Sequence, residues 1–502
     1  MKMCIKIIKG NKFSTLLKNK MKPYFIYLII LFALILRLYF FVGIGITDDL
    51  KYVWAAYTLA SGKFDNYPIN IIDPLRSMMV LPLTLMFIIF GVNIYSAAIY
   101  PLLCSIANIF MTYKLGKMIF NENVGIIASF IFSIIPLDIV YSTQLIPSGP
   151  VTLFMLISTY LFLKGNRERK GEKRKRYLFL SGIAWGLAYL TNELAFFMPL
   201  IFLAFILSNF VISKKLNIDF RYVYIIYGFL IIILIEFSFF FIIKNDPLWR
   251  LKIVHHTEET IDTNIDYWYY PRILTKVINP NFEVQEGKIG IIFYMLLVSS
   301  FYLIKNRDKN SYFTILWISL ILLYLEFGIM TLSFRTIAKW ARYLIIILPP
   351  ISIVIANFIN KCKVFGTLLF LILILSMPYY IINVYNLHDT RVGDFKSIYF
   401  FLKNFEEKPI YTSFDSYPFL NFYFGYRRNI IPIENVESED EIRDAFVVIN
   451  DSIRIALDYT YRAKLPKFII EPPSSWKLIK TIEGRKIGLY ALFDPKIYYA
   501  PQ

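Results

Sequence analysis

The chain has few cysteines for its length, and none is placed to form a disulfide framework or a zinc site. Its 502 residues contain three cysteines, Cys4, Cys104 and Cys362, which lie far apart. Disulfide-rich domains and closed zinc sites both need closely spaced cysteines, so the sequence fits neither class. It also lacks an internal repeat of fixed period and any low-complexity tract.

Apolar residues are abundant and are gathered into long runs. Hydrophobic residues make up 57% of the chain and aromatic residues 18%, and the mean hydropathy is +0.54. A run of about 18 or more apolar residues is long enough to cross a hydrocarbon core of roughly 30 Å. Because a lipid-facing backbone must satisfy its own hydrogen bonds, we expect these runs to be helices and not barrel strands. The clearest runs are 23–46, 222–244, 312–332, 343–358 and 367–386.

The formal net charge of +18 has two possible explanations, a nucleic-acid partner or membrane topology. Lys and Arg cluster in short segments between the apolar runs, which is the pattern of cytoplasmic loops. Topology is the simpler explanation, so we expect no nucleic-acid partner. A lysine-rich segment also precedes the first apolar run, which is too long for a signal peptide and lacks a cleavage site, so we interpret it as a retained signal anchor with a cytoplasmic N-terminus.

The basic loop 166–176 determines the number of crossings. Hydropathy alone predicts helices at 77–92, 95–118, 124–142 and 150–164, and if all four crossed, this loop would lie outside against the charge rule. The segment 77–92 is short, contains Pro82 and ends at Gly91, so we interpret it as an interfacial helix. The result is a polytopic α-helical membrane protein with about eleven transmembrane helices and an extracytoplasmic C-terminal end.

The composition changes near Leu387, which divides the chain into a transmembrane domain, 1–386, and a C-terminal domain, 387–502. Short β-like runs alternate with a helix-like segment, 438–445, where Ser438 and Glu441 are spaced as a capping box. This pattern predicts a small α/β domain. The β-like runs are 409–414, 429–434, 446–451, 467–472 and 486–493.

A charged cluster follows the first apolar run, in the predicted external segment 47–76. Asp48 and Asp49 are adjacent there, with Lys51 and Tyr52 next to them. Ionisable groups at a membrane boundary are costly unless they are paired or hydrated, which makes the cluster a functional candidate. The alternative, that acidic residues merely mark an external loop, carries about equal weight. Two neighbouring carboxylates can divide base and orienting roles, and a lysine can bind a phosphate.

The pattern D-D-x-K-Y at 48–52 resembles the D-E-x-R-Y motif in the first external loop of the C-superfamily membrane glycosyltransferases. The similar branch contains the protein O-mannosyltransferases and the lipid A aminoarabinose transferases. Further segments agree with this branch in order and orientation, and together they cover about residues 25–360. They are Arg37 in the first span, Arg76 with the apolar stretch ending FGVN at 90–93, GLAYLTNELAFFMPLIFL at 186–203, and RYLIIILPPISIVIA at 342–356.

This resemblance implies an enzyme that moves a sugar, hexosyl or pentosyl, from a polyprenyl phosphate to an unknown acceptor at the outer face of the membrane. It implies that Asp48 is the catalytic carboxylate and that Asp49 assists it or contacts a metal. Lys51, Arg76 and Arg342 are then expected to hold the lipid phosphate. The remaining expected members of the substrate pocket are Tyr52, Glu193 and Tyr343.

The sequence departs from the family pattern at two places. A second acidic residue that relatives carry between the third and fourth spans is absent, because Gln144 and Ser148 stand there. The lysine of the family's L-T-K segment is Asn192, followed by Glu193. Either Glu193 compensates for the missing lysine, or the acceptor site differs.

The external loop 245–288 contains a possible site for a divalent metal ion. His255 and His256 are close in sequence to Glu258, Glu259 and Asp262, and some relatives use a histidine from this region. The competing interpretation is a solvated acidic loop, which we favour because adjacent histidines do not easily face one metal and the spacing matches no closed zinc pattern.

Two other functions remain open at the level of sequence. A secondary transporter or flippase for a lipid-linked or anionic substrate is the main alternative, and it predicts inverted repeats and charges at mid-membrane. The ionisable residues here gather instead at the outer ends of the spans, which favours the glycosyltransferase. A membrane scaffold that presents the C-terminal domain is the third possibility.

Overall fold

The structure, a computed structural model, is mostly helical and has one small sheet. It describes residues 24–44, 48–168, 171–214, 219–260, 267–275, 289–306, 308–328, 337–389, 393–405, 407–413, 416–449, 468, 471–482 and 495–501. The N-terminal lysines and the β-like run 486–493 lie outside these residues.

The helices are numbered here in chain order. They are α1 (Phe25–Tyr39), α2 (Asp48–Ala60), α3 (Ser77–Phe90), α4 (Ile94–Ile119), α5 (Glu122–Ser133), α6 (Pro136–Tyr141), α7 (Ser148–Arg167), α8 (Glu172–Thr191), α9 (Met198–Ser213), α10 (Val223–Lys244), α11 (Trp249–Thr260), α12 (Tyr269–Thr275), α13 (Ile292–Lys305), α14 (Lys309–Phe327), α15 (Leu348–Lys361), α16 (Lys363–Asp389), α17 (Gly393–Leu402) and α18 (Tyr417–Tyr423). Short 3-10 helices precede α9 (Glu193–Phe197) and α15 (Ala341–Ile347).

In the part of the chain that the structure describes, six helical segments are long and apolar enough to cross a membrane. The segment that ends in α15 is central, since 89% of its apolar window is buried, against 28% to 44% for the other five. The chain is therefore a membrane protein, and the count of eleven crossings stays a prediction. The six segments are Ile94–Ile119, Glu193–Ser213, Phe220–Lys244, Lys309–Phe327, Ala341–Lys361 and Val364–Asn386.

Helix α3 is the segment predicted to lie at the interface. It has 14 residues with Pro82 inside it, and at 1.5 Å per residue its length is only about 21 Å. Gly91 ends the helix with φ +74°, a conformation that glycine adopts without strain. Asn93 then starts α4, where its side chain accepts hydrogen bonds from the amides of Tyr95 and Ser96.

The single continuous helix predicted at 124–142 is wrong, because the structure breaks it into α5 and α6. The break falls at Ile134 and Ile135, directly before Pro136. Proline has no amide hydrogen and its ring clashes with the preceding turn, so it starts a new helix here and does not continue the old one.

A buried ion pair joins α1, α4 and α6. Arg37 donates to the Asp138 carboxylate at 2.5 Å and to the Ser105 hydroxyl at 2.7 Å, and the Ser105 hydroxyl donates to Asp138 at 2.7 Å. Arg37 also donates to the carbonyl of Ser133 at 3.1 Å, at the end of α5. These bonds satisfy charges that an apolar interior otherwise penalises heavily, and they hold the broken segment against its neighbours.

Helices α8 and α10 approach each other until their backbones touch. A Cβ atom on Gly182 would overlap the carbonyl oxygen of Ile225, and one on Gly228 would overlap the carbonyl oxygen of Phe179. Small residues allow such close approach in membranes, where packing replaces the hydrophobic effect as the source of association. The two helices therefore form one tightly packed unit.

The C-terminal region contains a five-stranded sheet with helices beside it, as expected for a small α/β domain. The boundaries of the predicted domain stay a prediction. The strands of the sheet are β1 (Ile410–Thr412), β2 (Ile430–Pro432), β3 (Ala445–Ile449), β4 (Lys477–Thr481) and β5 (Lys496–Ala500), in the order β2-β1-β3-β5-β4. β1 pairs in parallel with β2 and β3, and β5 is antiparallel to β3 and β4. The predicted capping box at Ser438 and Glu441 forms, on a 3-10 turn and not on a full helix.

The C-terminal region contacts the membrane domain beside α2. The ring of Tyr426 stacks on that of Tyr57 with centroids 4.1 Å apart, and Trp54 lies 5.4 Å from the same ring. Lys396 donates to the carbonyl of Val42 at 2.9 Å. The C-terminal region therefore lies at the same end of the helical bundle as Asp48.

The glycine contact leads to a stability prediction. Replacing Gly182 by Ala is expected to destabilise the protein by about 1 to 3 kcal/mol, because the added methyl group has no space between two backbones. The measurement is the thermal unfolding temperature of the detergent-solubilised protein. The matched control is Gly149→Ala on α7, where a Cβ atom meets nothing within 4 Å. Equal unfolding temperatures for the two variants would contradict the prediction.

Candidate active site

The two adjacent carboxylates at the start of α2 lie in different surroundings. Asp49 is 2% exposed, and its carboxylate accepts a hydrogen bond from the amide of Leu145 at 3.0 Å. The Asp48 side chain is 19% exposed and lies among cations. Carboxylates are favoured at a helix N-terminus, but consecutive helical residues point about 100° apart. The structure therefore assigns Asp49 a contact that joins α2 to the loop before α7, apart from the Asp48 cluster.

Asp48 forms an ion pair with Arg342, which is far away in sequence. The Arg342 guanidinium donates to the Asp48 carboxylate at 2.9 Å, and the Lys51 ammonium lies 3.7 Å from its other oxygen. Burial alone would raise the pKa of Asp48, but Arg342, Lys51 and Arg76 together hold that pKa below its ordinary value. Asp48 is therefore an ionised carboxylate at neutral pH.

Asp73 links the cations of the first external segment. Its carboxylate accepts from Lys51 at 2.9 Å, from Arg76 at 2.5 Å and from the Tyr52 hydroxyl at 3.3 Å. The Arg76 guanidinium donates to the Tyr52 hydroxyl at 2.7 Å. Burial raises the pKa of the Tyr52 hydroxyl well above its ordinary value, so Tyr52 remains a neutral hydroxyl in this network.

Glu193 holds the other side of Arg76. The Arg76 guanidinium donates twice to one Glu193 oxygen, at 2.7 and 3.2 Å. Asn192, the residue that replaces the family's lysine, ends α8, and its side chain accepts from the amide of Leu194 at 3.0 Å. Asn192 therefore caps the following 3-10 helix, and this cap directs Glu193 toward the external segment.

The second Glu193 oxygen belongs to a further ion pair. Arg250 on α11 donates to it at 3.0 Å, to Glu236 on α10 at 2.6 Å and to the carbonyl of Tyr189 at 2.8 Å. The Arg250 side chain is 1% exposed, and the Glu236 side chain is 5% exposed. A continuous chain of alternating charges thus runs from Arg342 to Glu236.

The two tyrosines expected in the substrate pocket are placed differently. Tyr52 is fully buried and lies inside the ion-pair network, which favours a supporting role. Tyr343 is half-buried and follows Arg342 in the same 3-10 helix. Its charged neighbours are Arg342, Arg76, Asp48 and Glu193. The structure therefore brings together Asp48, Lys51, Tyr52, Arg76, Glu193, Arg342 and Tyr343.

The histidines of the metal hypothesis lie on an exposed part of α11. The imidazole Nδ1 atom of His255 is 3.6 Å from Glu259, both side chains are about half exposed, and His256 is exposed as well. Among the residues that the structure describes, no three His, Cys, Asp or Glu side chains converge as metal ligands. Asp262 lies outside those residues. The carboxylates near Asp48 pair with cations, and a metal requirement stays a prediction.

Three members of the network were missed by the sequence reasoning. Asp73 stands three residues before Arg76, a spacing at which opposite charges meet. Glu236 is a carboxylate inside the apolar helix α10, and such a residue is itself a signal of function. Arg250 follows the same helix, five residues before His255. Their pairing becomes apparent only in three dimensions.

Comparison with known proteins identifies a related family model and similar folds. Residues 78–239 match the family model described as dolichyl-phosphate-mannose-protein mannosyltransferase. ArnT from Cupriavidus metallidurans in the apo state has a similar structure, with a TM-score of 0.60 at 12% identity over 95% of this chain and 98% of that chain. The predicted resemblance to the C-superfamily glycosyltransferases is confirmed.

Two further structures share the C-superfamily fold. ArnT from the same organism bound to undecaprenyl phosphate has a TM-score of 0.53 at 11% identity, covering 94% of this chain and 97% of that one. The apo oligosaccharyltransferase of Archaeoglobus fulgidus has a TM-score of 0.52 at 13% identity, covering 91% of this chain and 73% of that one. A search of curated proteins found no match.

Arg250 is the member of the network whose removal we expect to be most damaging to stability. The change Arg250→Gln leaves Glu193 and Glu236 without their shared cation in a buried place, which typically costs about 3 to 5 kcal/mol. The measurement is the thermal unfolding temperature in detergent. The double variant Arg250→Gln with Glu236→Gln removes one of the stranded charges, so it is expected to recover part of the loss. A single variant as stable as the original protein would refute the assignment.

Proposed function

We propose that this protein is a membrane glycosyltransferase that moves a sugar from a polyprenyl phosphate to an acceptor at the extracytoplasmic face. The observation that carries the proposal is the contact of the ionised Asp48 carboxylate with Arg342 and Lys51, within a C-superfamily fold. The solved ArnT structure with undecaprenyl phosphate supports a lipid phosphate as the donor's carrier. The family model over 78–239 supports sugar transfer.

We assign Asp48 the role of the base that accepts the proton of the acceptor hydroxyl. Because its pKa is held low, Asp48 is ionised and its carboxylate can accept a proton. It is nevertheless a weak base in the ground state. As the acceptor hydroxyl attacks the anomeric carbon, this hydroxyl becomes acidic and its proton passes to Asp48. The bond between the sugar and the phosphate oxygen breaks at the same time, and the lipid phosphate leaves with the electron pair.

The cations that face Asp48 are suited to the leaving phosphate. The Lys51 side chain is 44% exposed and that of Arg342 is 19% exposed, whereas Arg76 is 11% exposed and lies between Asp73 and Glu193. The Nε atom of Arg342 is buried and has no hydrogen-bond acceptor in the described structure. We therefore assign Lys51 and Arg342 to direct phosphate contact and Arg76 to a supporting position.

The developing phosphate charge is where these cations contribute most to the rate. Fixed donors that are already oriented stabilise charge as it grows, with little reorganisation at the moment of reaction. Asp73 and Glu193 provide that orientation, because Asp73 pairs with Lys51 and Arg76, and Glu193 pairs with Arg76. Contact of the C-terminal region with α2 near Tyr57 supports its predicted position on the same, extracytoplasmic side.

The first test is the variant Asp48→Asn. We expect sugar transfer from a labelled polyprenyl-phosphate donor in membranes to fall by about 100-fold or more, the usual contribution of a positioned base. The amide still accepts a hydrogen bond from Arg342, so the fold should persist. The control is Asp65→Asn, which changes an exposed carboxylate in the same external segment.

Two outcomes would contradict the proposal. Unchanged transfer by Asp48→Asn would remove Asp48 from the mechanism. Transport of a lipid-linked or anionic substrate across liposomes, with no glycosyl product from any donor, would favour the alternative of a transporter or flippase.

The second test uses the pH dependence of kcat/KM. Arg342 is the strongest of the influences that lower the pKa of Asp48, and burial opposes it. In Arg342→Gln the pKa of Asp48 is therefore expected to rise. Because activity requires the ionised carboxylate, the loss of activity on acidification should begin at a higher pH than in the original protein.

The control for this test is Arg342→Lys, which keeps the positive charge but loses the planar guanidinium. Its activity is expected to fall because phosphate contact suffers, while the acid limb of its pH profile stays close to the original position. An acid limb that does not move in Arg342→Gln would show that Arg342 does not set the ionisation of Asp48.

A further inference from the structure

A second charged site lies where the C-terminal region meets the turn between α3 and α4, away from Asp48. A cavity of about 410 Å³ opens there, which is within the size range of small-molecule sites. Its walls come from Phe90 to Asn93 on one side and from α17, α18 and the segments after them on the other. Gly425 approaches the carbonyl of Val92 so closely that a Cβ atom would lie 3.3 Å from it.

The cavity wall is cationic and aromatic. Lys403, Arg427 and Arg428 line it, against a single carboxylate, Glu407. The ring of Tyr399 lies at the same wall and stacks on Tyr423 with centroids 5.5 Å apart. Cations interleaved with aromatic rings are typical of protein surfaces at the level of lipid headgroups.

An apolar surface leads directly to this cavity along α3. The side chains of Leu81, Leu85, Ile88, Ile89 and Phe90 are 51% to 63% exposed. Most of them recur at helical spacing and so form one stripe, which ends at the cavity wall. In a membrane protein such a stripe faces acyl chains, so the cavity lies where the headgroup of a lipid on this stripe would be.

This arrangement differs from the proposed donor site. Arg76 precedes the first residue of α3, whereas the cavity lies after its last residue, and the helix between them is about 21 Å long. A phosphate in the cavity is therefore remote from Asp48 and Arg342. Separate cations therefore lie at the two ends of α3, Arg76 at its start and the cavity cations after its end.

We infer that the cavity beside Gly91 binds the headgroup of an anionic phospholipid whose acyl chains contact the exposed apolar side chains of α3. The lipid bridges the membrane domain and the C-terminal region, because each contributes one wall of the cavity. The site depends on charge complementarity and on the apolar stripe, and it does not rest on the proposed reaction.

The test uses the full-length protein in phosphatidylcholine vesicles that contain a photoactivatable phosphatidylglycerol. After illumination, mass spectrometry measures the adducts on the peptides that contain residues 90–93 and 399–428. We compare the original protein with Lys403→Ala plus Arg427→Ala. Both of these side chains are exposed, so their removal should not disturb folding, and Arg428 is kept because it donates to the carbonyls of Lys408 and Leu402.

Adducts on these peptides are expected in the original protein and should fall roughly fivefold for each cation removed, the usual effect of a basic residue near an anionic surface. The matched control is Lys477→Ala plus Lys480→Ala, which removes two exposed charges from β4 of the same region and should leave the adducts unchanged. Equal labelling of the original and the Lys403/Arg427 variant would overturn the inference, and so would an equal loss in the control.

Soluble competitors separate a lipid from other anions. Glycerol phosphate carries a phosphate group, as the headgroup does, but it has no acyl chains, so it should compete only weakly. If it prevents labelling as effectively as unlabelled phosphatidylglycerol, the site binds free phosphate and the lipid assignment is wrong. If an acidic oligosaccharide is the better competitor, the cavity is a carbohydrate site instead.

Discussion

The carboxylate of Asp73 is the interaction on which the rest of the candidate site depends. It joins Lys51, Tyr52 and Arg76, so it fixes both cations of the first external segment relative to α2. Glu193 fixes Arg76 from the other side, and Arg250 connects Glu193 to Glu236. Without the Asp73 carboxylate, the neighbouring cations Lys51 and Arg76 would repel each other in a partly buried place. The positions of Asp48 and Arg342 follow from this frame.

A site in which most charges are already paired has a particular energetic character. Each cation has given up part of its hydration to a protein carboxylate, so a phosphate that enters does not have to strip the cation of water by itself. The phosphate must instead compete with Asp48 for Arg342 and Lys51. If the donor phosphate binds as proposed, this competition would free the Asp48 carboxylate and so couple occupation of the phosphate site to exposure of the proposed base.

The sequence made the class of fold predictable, because apolar runs and basic loops obey strong physical rules. It also identified the carboxylate and cations that the structure brings together, although Asp48 and Arg342 are far apart along the chain. One local prediction was wrong, because Pro136 divides a segment that hydropathy treats as one helix. The contact of Asp49 with the Leu145 amide could not be predicted from spacing, because it joins two segments that are distant in sequence. Asp73, Glu236 and Arg250 were missed because pairing between distant elements leaves no periodic trace in sequence.

The close contact of Gly182 and Gly228 has a consequence for the charges outside it. Helix α8 leads into Glu193, while α10 carries Glu236 and leads into Arg250, so the two backbones support opposite ends of one ion-pair arrangement. A larger side chain at either glycine would push the two helices apart, and the bond from Arg250 to Glu193 would lengthen. The close packing of Gly182 and Gly228 therefore helps to fix the relative positions of Glu193 and Arg250, and Glu193 in turn pairs with Arg76.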